Sequence, residues 1–319
     1  MSIDIQNFKK LNVLVIGDLM IDEYVWGSVD RISPEAPVPI VSVTNTSFTL
    51  GGAGNVVNNL VSMGANVCVV GTAGTGETGN MLIKKLAESK VNTNGIVKET
   101  YRPTTRKTRI IASNQQMLRI DNEKTTEINF TTLEQLKLTL EKNIPGSDLI
   151  IISDYAKGLI TQKIVKYIVK LAETEKILTI ADPKGLDFSK YQNVSLLTPN
   201  QKEAALAANI EINSLEDLIK AGKKILKQVN LEKLLITCGK DGMILFEPNK
   251  EPFIIESKAR QVFDVSGAGD TVISILGLSL ASGASFQKSA MAANCAAGIV
   301  VGKVGTATLS TEELINALK

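Results

Sequence analysis

The chain has 319 residues, with 35 Lys and Arg against 33 Asp and Glu, and no histidine at all. That length suits one large α/β domain or two small ones, and a formal charge of +2 gives no overall pull toward nucleic acid or an anionic membrane. The missing histidines exclude Ser-His-Asp and Cys-His catalysis, His-ligated zinc and any histidine acid or base.

Proton transfer must therefore fall to Asp, Glu, Lys, Tyr or Cys. Cys68, Cys238 and Cys295 are isolated, with no CxxC pair, so no disulfide framework is expected and a reducing cytoplasm is the default. The first apolar run begins at Leu11 and stops at Asp18, too short for a signal peptide. The apolar stretch 272–284 is broken by Gly277, Ser279, Ser282 and Gly283 and cannot span a bilayer.

Along the chain, continuous apolar runs at 12–17, 66–71, 148–153, 177–181 and 233–237 predict strands buried on both faces, as in a parallel sheet. Helical patterns at 54–63, 79–90, 133–143, 162–173 and 215–228 alternate with them, which implies a doubly wound α/β sheet. The segments 267–282 and 286–302 are rich in Ala, Gly and Ser and predict two closely packed helices.

Two insertions break this rhythm. Residues 24–50 hold Pro34, Pro37 and Pro39 with an alternating strand at 38–43, and residues 102–121 alternate as an antiparallel hairpin does. Together they predict a small antiparallel sheet acting as a substrate lid, a dimer contact, or both. With no repeats and no linker, residues 1–319 are expected to form one domain, with lid strands at about 24–50 and 102–121.

Several strings carry chemistry. Gly74-Thr-Gly-Glu-Thr-Gly79 matches the dinucleotide pattern GxGxxG, with Glu99 beyond it, but it does not follow the first strand. There is no GxxxxGK[ST] sequence, which excludes a P-loop NTPase. The most pointed string is Asp264-Val-Ser-Gly-Ala-Gly-Asp270-Thr271, opening a helix. The backbone amides around Gly267, Ala268 and Gly269 would form an anion site at the helix start. Asp270 is then either an acid offsetting the helix dipole or a base beside a transferring phosphoryl group.

Leu50-Gly51-Gly52-Ala-Gly-Asn55 also opens a helix and is either a tight turn or a close approach of backbone to ligand. Asp18, just past the first strand, would join Asn55 in offering polar groups to sugar hydroxyls. Asn200 and Glu203 have the spacing of a capping box, or of a Mg²⁺–phosphate contact through water. Lys184, in Asp182-Pro-Lys-Gly185, is either a phosphate ligand or a solvated lysine.

Taken together, these strings resemble the ribokinase-like sugar kinase family, known as PfkB, in order and spacing across essentially the whole chain. In that family Gly71 to Gly79 resembles a post-strand glycine element rather than a nucleotide fingerprint. Asp30–Pro39, Asn114–Asp121, Ser153–Gly158 and Val300–Thr306 are similar to the branch that phosphorylates D-glycero-β-D-manno-heptose 7-phosphate for ADP-heptose and lipopolysaccharide synthesis.

The resemblance implies a ribokinase-like fold and transfer from ATP to the anomeric hydroxyl, giving the 1,7-bisphosphate. It makes Asp270 the catalytic base and the amides of Ser266–Gly269 the anion hole. Asn200, Glu203, Thr237, Gly239, Lys184 and Asn294 would face ATP, with Mg²⁺ at Glu203 through water. Asp18, Gly51, Gly52 and Asn55 would hold the sugar. Asp264, Ser266 and Gly305 would hold a monovalent cation such as K⁺.

The 7-phosphate needs cations, for which Lys107, Arg109, Arg119 and Lys157 stand on or near the lid, Lys107 and Arg109 on one face by alternation. The expected partner is a sugar phosphate, with no nucleic acid or membrane, and a homodimer through the lid. Another ribokinase-like kinase of a free sugar or nucleoside is the alternative, and an NAD-dependent oxidoreductase or a non-catalytic nucleotide-binding regulator would be readings of other classes. Some kinases of this branch resemble fusions to a nucleotidyltransferase whose signature uses histidines. This chain is expected to lack that domain, leaving adenylylation to another polypeptide.

Overall fold

In the computed structural model, which describes residues 3–113, 115–258 and 262–319, the apolar runs become neighbouring strands of one sheet. Its strands are β1 (Asn12–Gly17), β4 (Asn66–Gly74), β5 (Asn92–Glu99), β8 (Leu149–Ser153), β9 (Leu178–Asp182), β10 (Leu196–Leu197), β11 (Lys233–Thr237), β12 (Met243–Phe246) and β13 (Phe253–Ile255). The order is β13-β12-β11-β10-β9-β8-β1-β4-β5, parallel except at the edge, where β12 and β13 pair antiparallel. A second sheet of order β3-β2-β6-β7 comprises β2 (Leu19–Ile32), β3 (Pro39–Gly52), β6 (Thr105–Ala112) and β7 (Gln115–Asn122).

Helices cover both faces of the large sheet. Side chains alternate along each strand, so Val13, Val15, Leu149 and Ile151 join one core with α1 (Ala53–Ser62), α2 (Glu77–Glu88), α7 (Ala268–Ala281), α8 (Phe286–Val300) and α9 (Thr311–Leu318). Leu14, Ile16, Ile150 and Ile152 join the other, with α3 (Phe130–Asn143), α4 (Gln162–Glu175), α5 (Gln201–Ala208) and α6 (Leu215–Gln228). Each fully buried Leu or Ile contributes roughly 1.5–3 kcal/mol, which is why unbroken apolar runs are needed here. The small residues of α7 allow close packing: a Cβ on Gly277 would lie 2.7 Å from Leu149.

The lid departs from the expected form in two ways. It begins at Leu19, directly after Asp18, and returns to Gly52, so the insertion is longer than 24–50. The sheet is mixed rather than antiparallel, because β2 pairs parallel with β6 from Met20↔Thr105 to Gly27↔Ala112. The reason is topological: β2 leaves the end of β1 and β6 follows β5, and those two strands are parallel. The edge strand β5, with the polar sequence NTNGIVKE, has no apolar run to announce it.

One buried cation fixes the root of the lid. Arg102 is 8% exposed; its Nε donates to Glu99 at 2.9 Å, and its Nη atoms donate to the carbonyls of Lys124, Lys157 and Thr126 at 2.9, 3.0 and 2.6 Å. The side chain thus ties the entry to β6, the exit from β7 and the loop after β8. Removing one partner of a buried pair strands the other's charge. Arg102→Met is expected to lose about 3–5 kcal/mol of stability, read from urea unfolding. A loss under about 1 kcal/mol, as for an exposed pair, would contradict this.

Candidate active site

The strand order reverses at β1 and β8, since β1 leads to β4 and β5 on one side and β8 to β9 and β10 on the other. Ligands of open α/β sheets bind beyond the strand ends at such a point. Asp18 follows β1 there, 4% exposed, and its Oδ2 accepts the N–H groups of Tyr155 at 2.9 Å and Lys157 at 3.1 Å. Burial, and then Asp154, push its carboxyl up, against these N–H donors. Asp18 therefore organises the loop after β8, a task its place in the sequence did not announce.

The N-terminus of α7 meets the same point. Asp270 lies in its first turn, and Oδ2 accepts from Asn55 Nδ2 at 2.7 Å while Oδ1 accepts from the Tyr155 hydroxyl at 2.9 Å. Burial pushes the Asp270 carboxyl up to about 6, although the hydrogen bonds from Asn55 and Tyr155 and the charge of Lys184 pull it down. Asn55 is 2% exposed, and its Oδ1 has no partner among the described residues, leaving a buried acceptor beside the carboxylate.

Two glycines make this meeting sterically possible. Gly267 has φ +80°, and a Cβ there would lie 2.5 Å from Asn55 Nδ2. Gly52 has φ +56°, and a Cβ there would lie 2.5 Å from the Asp18 carbonyl. Gly51 is needed for a neighbour's sake, as its Cβ would lie 2.2 Å from Asp22 Oδ2. Asp22, on β2 and 6% exposed, brings a further carboxylate that the sequence reading missed.

The anion hole is narrower than expected. The Ser266 N–H donates to Asp264 Oδ1 at 2.9 Å and the Ala268 N–H to the Val265 carbonyl at 3.2 Å, so both are engaged within the turn. Among the described residues no side chain caps α7, and none lies within 4 Å of a Cβ built on Gly269. The N–H groups of Gly267, Gly269 and Asp270, which have no partner among the described residues, are the helix-start donors left to face a ligand.

Beside them is an apolar cavity of about 230 Å³, lined by Thr237, Gly239, Gly269, Val272, Asn294 and Val301 among others. It brings together three of the residues expected to face a nucleotide. An apolar slot for a base, opening onto uncapped helix amides for phosphates, fits ATP. Asn294 donates to the Glu256 carbonyl at 2.7 Å.

Asn200 is outside the cavity lining but joined to it by a parallel bridge to Thr237. Asn200 and Glu203 form a complete capping box on α5. Glu203 Oε2 accepts the Asn200 N–H at 2.9 Å, and Oε1 accepts from Lys184 Nζ. Both oxygens are engaged, which suits contact with Mg²⁺ through water rather than direct ligation. Among the described residues no group of three or more Asp, Glu or Cys is placed to hold a metal directly. Burial lowers the pKa of Lys184, but Asp182 and Glu203 reverse this and raise it overall, keeping a cation beside the carboxylates.

Of the basic residues expected at the lid, three have carboxylate partners. Arg109 pairs with Asp22 at 2.5 Å, Arg119 with Asp121 at 2.8 Å, and Lys157 with Glu123 at 2.8 Å. Lys107 shares the Arg109 face, being in register with Asp22 as Arg109 is with Tyr24. It has no hydrogen bond or ion pair among the described residues; burial, then Lys157, lower its pKa, against the nearby carboxylates of Glu123, Asp121 and Asp22. Asp264 Oδ2 accepts the Gly305 N–H at 3.1 Å, so Asp264, Ser266 and Gly305 do meet.

The glycines of 74–79 do not form a dinucleotide site. Gly74 ends β4, Gly76 caps α2, and a Cβ on Gly79 would lie 1.9 Å from the Gly74 carbonyl. They seat α2 on the strand end and on the lid root, where Thr104 Oγ1 accepts the Gly74 N–H at 2.8 Å.

The chain matches the model of the pfkB family carbohydrate kinases over residues 10–313. It is 53% identical over 313 residues to the bifunctional protein HldE of Desulfatibacillum aliphaticivorans, covering 98% of this chain and 64% of that protein. With HldE of Geobacter sulfurreducens the identity is 44% over 308 residues, covering 97% and 63%. The chain thus spans a little under two thirds of the length of these relatives. In fold it is similar to Escherichia coli phosphofructokinase-2 in complex with potassium, with a TM-score of 0.81 at 20% identity over 97% of both chains. Arabidopsis thaliana ribokinase complexed with ribose and ATP gives a TM-score of 0.76 at 19% identity, over 97% of this chain and 99% of that one.

The surroundings of Asp270 generate a direct prediction. Its carboxyl is expected to titrate near pH 6, measured by carboxyl ¹³C NMR of Asp-labelled protein and assigned with Asp270→Asn. A midpoint near the ordinary value of about 4 would contradict the site as described.

Proposed function

Because the chain belongs to the pfkB family of carbohydrate kinases, which transfer phosphate from ATP with Mg²⁺, we propose that its acceptor is the anomeric hydroxyl of D-glycero-β-D-manno-heptose 7-phosphate, in ADP-heptose synthesis. The observation that carries this reading is Lys107, a half-buried cation with no hydrogen bond or ion pair among the described residues, standing in register between Asp22 and Asp121 on the lid face that bears Arg109. These carboxylates offset part of the cost of burying the charge, but none of them occupies its N–H donors, which stay free for a ligand anion. An acceptor that already holds a phosphate supplies that anion. The four branch-like strings and the HldE-named relatives support the same substrate.

In this reading bound ATP with Mg²⁺ supplies the transferred phosphoryl group. Asp270, held as an anion at neutral pH, takes the proton from the anomeric hydroxyl. Asn55 fixes one oxygen of that base and turns its free Oδ1 toward the sugar, with Asp18, Gly51 and Gly52 shaping the floor. The N–H groups of Gly267, Gly269 and Asp270 stabilise charge developing on the phosphoryl oxygens. Lys184 adds positive charge from the opposite side, and Thr237, Gly239 and Asn294 border the nucleotide. Glu203 and Asn200 contact Mg²⁺ through water, and Asp264, Ser266 and Gly305 hold a monovalent cation.

The proposal includes a single kinase domain over residues 1–319, a cytoplasmic location and a homodimer through the lid. In support of the location, no described helix is long and apolar enough to cross a membrane. In support of the dimer, the lid face opposite Lys107 carries Ile110, Leu118 and Ile120, with Leu118 55% and Ile120 49% exposed.

Initial rates with heptose 7-phosphate, unphosphorylated heptose, other sugar phosphates and nucleosides test the substrate. Preference for a free sugar or nucleoside would overturn the proposal. Asp270→Asn is expected to lower kcat on the order of 10²-fold or more, and near-normal turnover would remove Asp270 from the base role. Lys107→Ala is expected to raise KM for heptose 7-phosphate on the order of tenfold and to leave KM for ATP unchanged. Equal effects on both substrates would place Lys107 away from the 7-phosphate.

A further inference from the structure

The string Ser153-Asp-Tyr-Ala-Lys-Gly158 lies outside the shared kinase motifs, yet its tyrosine reaches the centre of the site. The Tyr155 hydroxyl donates to Asp270 Oδ1 at 2.9 Å, across 115 residues of sequence. Its ring stands 6.0 Å from Lys184 Nζ. Burial, and then the charge of Asp270, raise the phenol well above its ordinary value, so it stays protonated and can only donate to the carboxylate.

The loop bearing Tyr155 is held from three sides, none of which uses the phenol. Asp18 Oδ2 accepts its backbone N–H at 2.9 Å. Asp154, 1% exposed, accepts the Ala156 N–H at 2.6 Å and the Tyr191 hydroxyl at 2.5 Å, and pairs with Lys190. Gly158 has φ +87°, and a Cβ there would lie 2.0 Å from the Thr126 carbonyl, so the loop is pressed against the exit from the lid. A phenol on so fixed a backbone is a fixed donor.

We infer that Tyr155 is a positioning residue for the base, orienting the Asp270 carboxylate jointly with Asn55 and setting its basicity through the Oδ1 hydrogen bond. This rests on the reading of Asp270 as the base. Each carboxylate oxygen has one donor, so rotation about the Cβ–Cγ bond is blocked and the remaining lone pairs point to one place. A donor onto the anion also weakens it as a base. That is tolerable for an anomeric hydroxyl, which the ring oxygen makes more acidic than an ordinary alcohol.

Other charges face Asp270 as well. Lys184, after β9, lowers its pKa and Asp22, on β2, raises it, while Asp182 at the end of β9 is coupled to it by like charge. All of these remain in Tyr155→Phe, which also keeps the ring and the backbone bonds of the loop. The difference between the two proteins is therefore the hydroxyl.

The test is the pH profile of kcat/KM for Tyr155→Phe against the wild type. The acid limb is expected to move up on the order of one pH unit, with kcat on the plateau about tenfold lower and KM for ATP unchanged. Superimposable limbs overturn the inference, whatever the change in kcat, because a merely structural defect would lower turnover without moving the limb. Site-specific 3-fluorotyrosine at position 155, a stronger donor, is expected to move the limb the opposite way and serves if the Phe variant does not fold. The ¹³C titration of Asp270 in the same variants needs no substrate. It keeps failure of this inference distinct from failure of the proposed acceptor or of the base role, which Asp270→Asn reads.

Discussion

Asp270 is 5% exposed, and burial holds its carboxyl at about 6 against an ordinary 3.8. Keeping it ionised at neutral pH therefore costs the fold about 3 kcal/mol. The sign follows from the raised value: the cost is absent below pH 3.8, where the fold is more stable by this amount, and that stability is lost as the pH rises through about 6. The structure limits that cost with two hydrogen bonds, a helix start and Lys184. Each of these comes from a different part of the chain: Asn55 from α1, Tyr155 from the loop after β8, and Lys184 from the segment after β9. A single carboxylate thus requires three crossover connections to end in register.

The same demand explains why the site lies where the strand order reverses. Only there do the ends of β1 and β8 stand side by side with a gap between the helices that follow. Asp18 spans the gap by accepting N–H groups from the loop after β8, and Gly52, Gly267 and Gly51 remove the Cβ atoms that would fill it. The lid grows from the same edge. Its strands β2 and β6 run parallel because they continue the direction of parallel strands, and Arg102 fastens their root to the loop that carries Tyr155. Lid and base are therefore mechanically connected through one guanidinium and one short loop.

Some of this was legible in the residues. Runs such as Asn12–Gly17 and Lys233–Thr237 matched their strands because a parallel sheet buried on both faces demands unbroken apolar sequence. The helix starting near Gly267 was legible because the glycine and the acid sit at fixed offsets in its first turn. Edge strands were less so: β5 pairs with a neighbour on one side only, buries just Gly95 and Glu99 fully, and reads as polar. The parallel pairing of β2 with β6 is decided by where the two strands leave the large sheet, a fact no local pattern encodes. Asp22 and Tyr155 were missed for a like reason. Their significance is a contact with residues 87 and 115 positions away, and alternation or spacing within a segment is silent about that.

The absence of histidine gains meaning from this geometry. An imidazole is poised near neutrality without help from the fold, whereas an aspartate must be moved there. Burial alone would carry Asp270 too far, leaving a protonated acid, and hydrogen bonding alone would leave a weak base. The two effects oppose each other at one side chain, so the value of about 6 is a balance struck by packing against α1 and the loop after β8. A base made this way cannot be separated from the fold that surrounds it. Its strength depends on how closely α7, α1 and the β8 loop are pressed together, and the small residues of α7 allow that approach. The Ala-, Gly- and Ser-rich C-terminal third is thus as much a part of the acid–base chemistry as Asp270 itself.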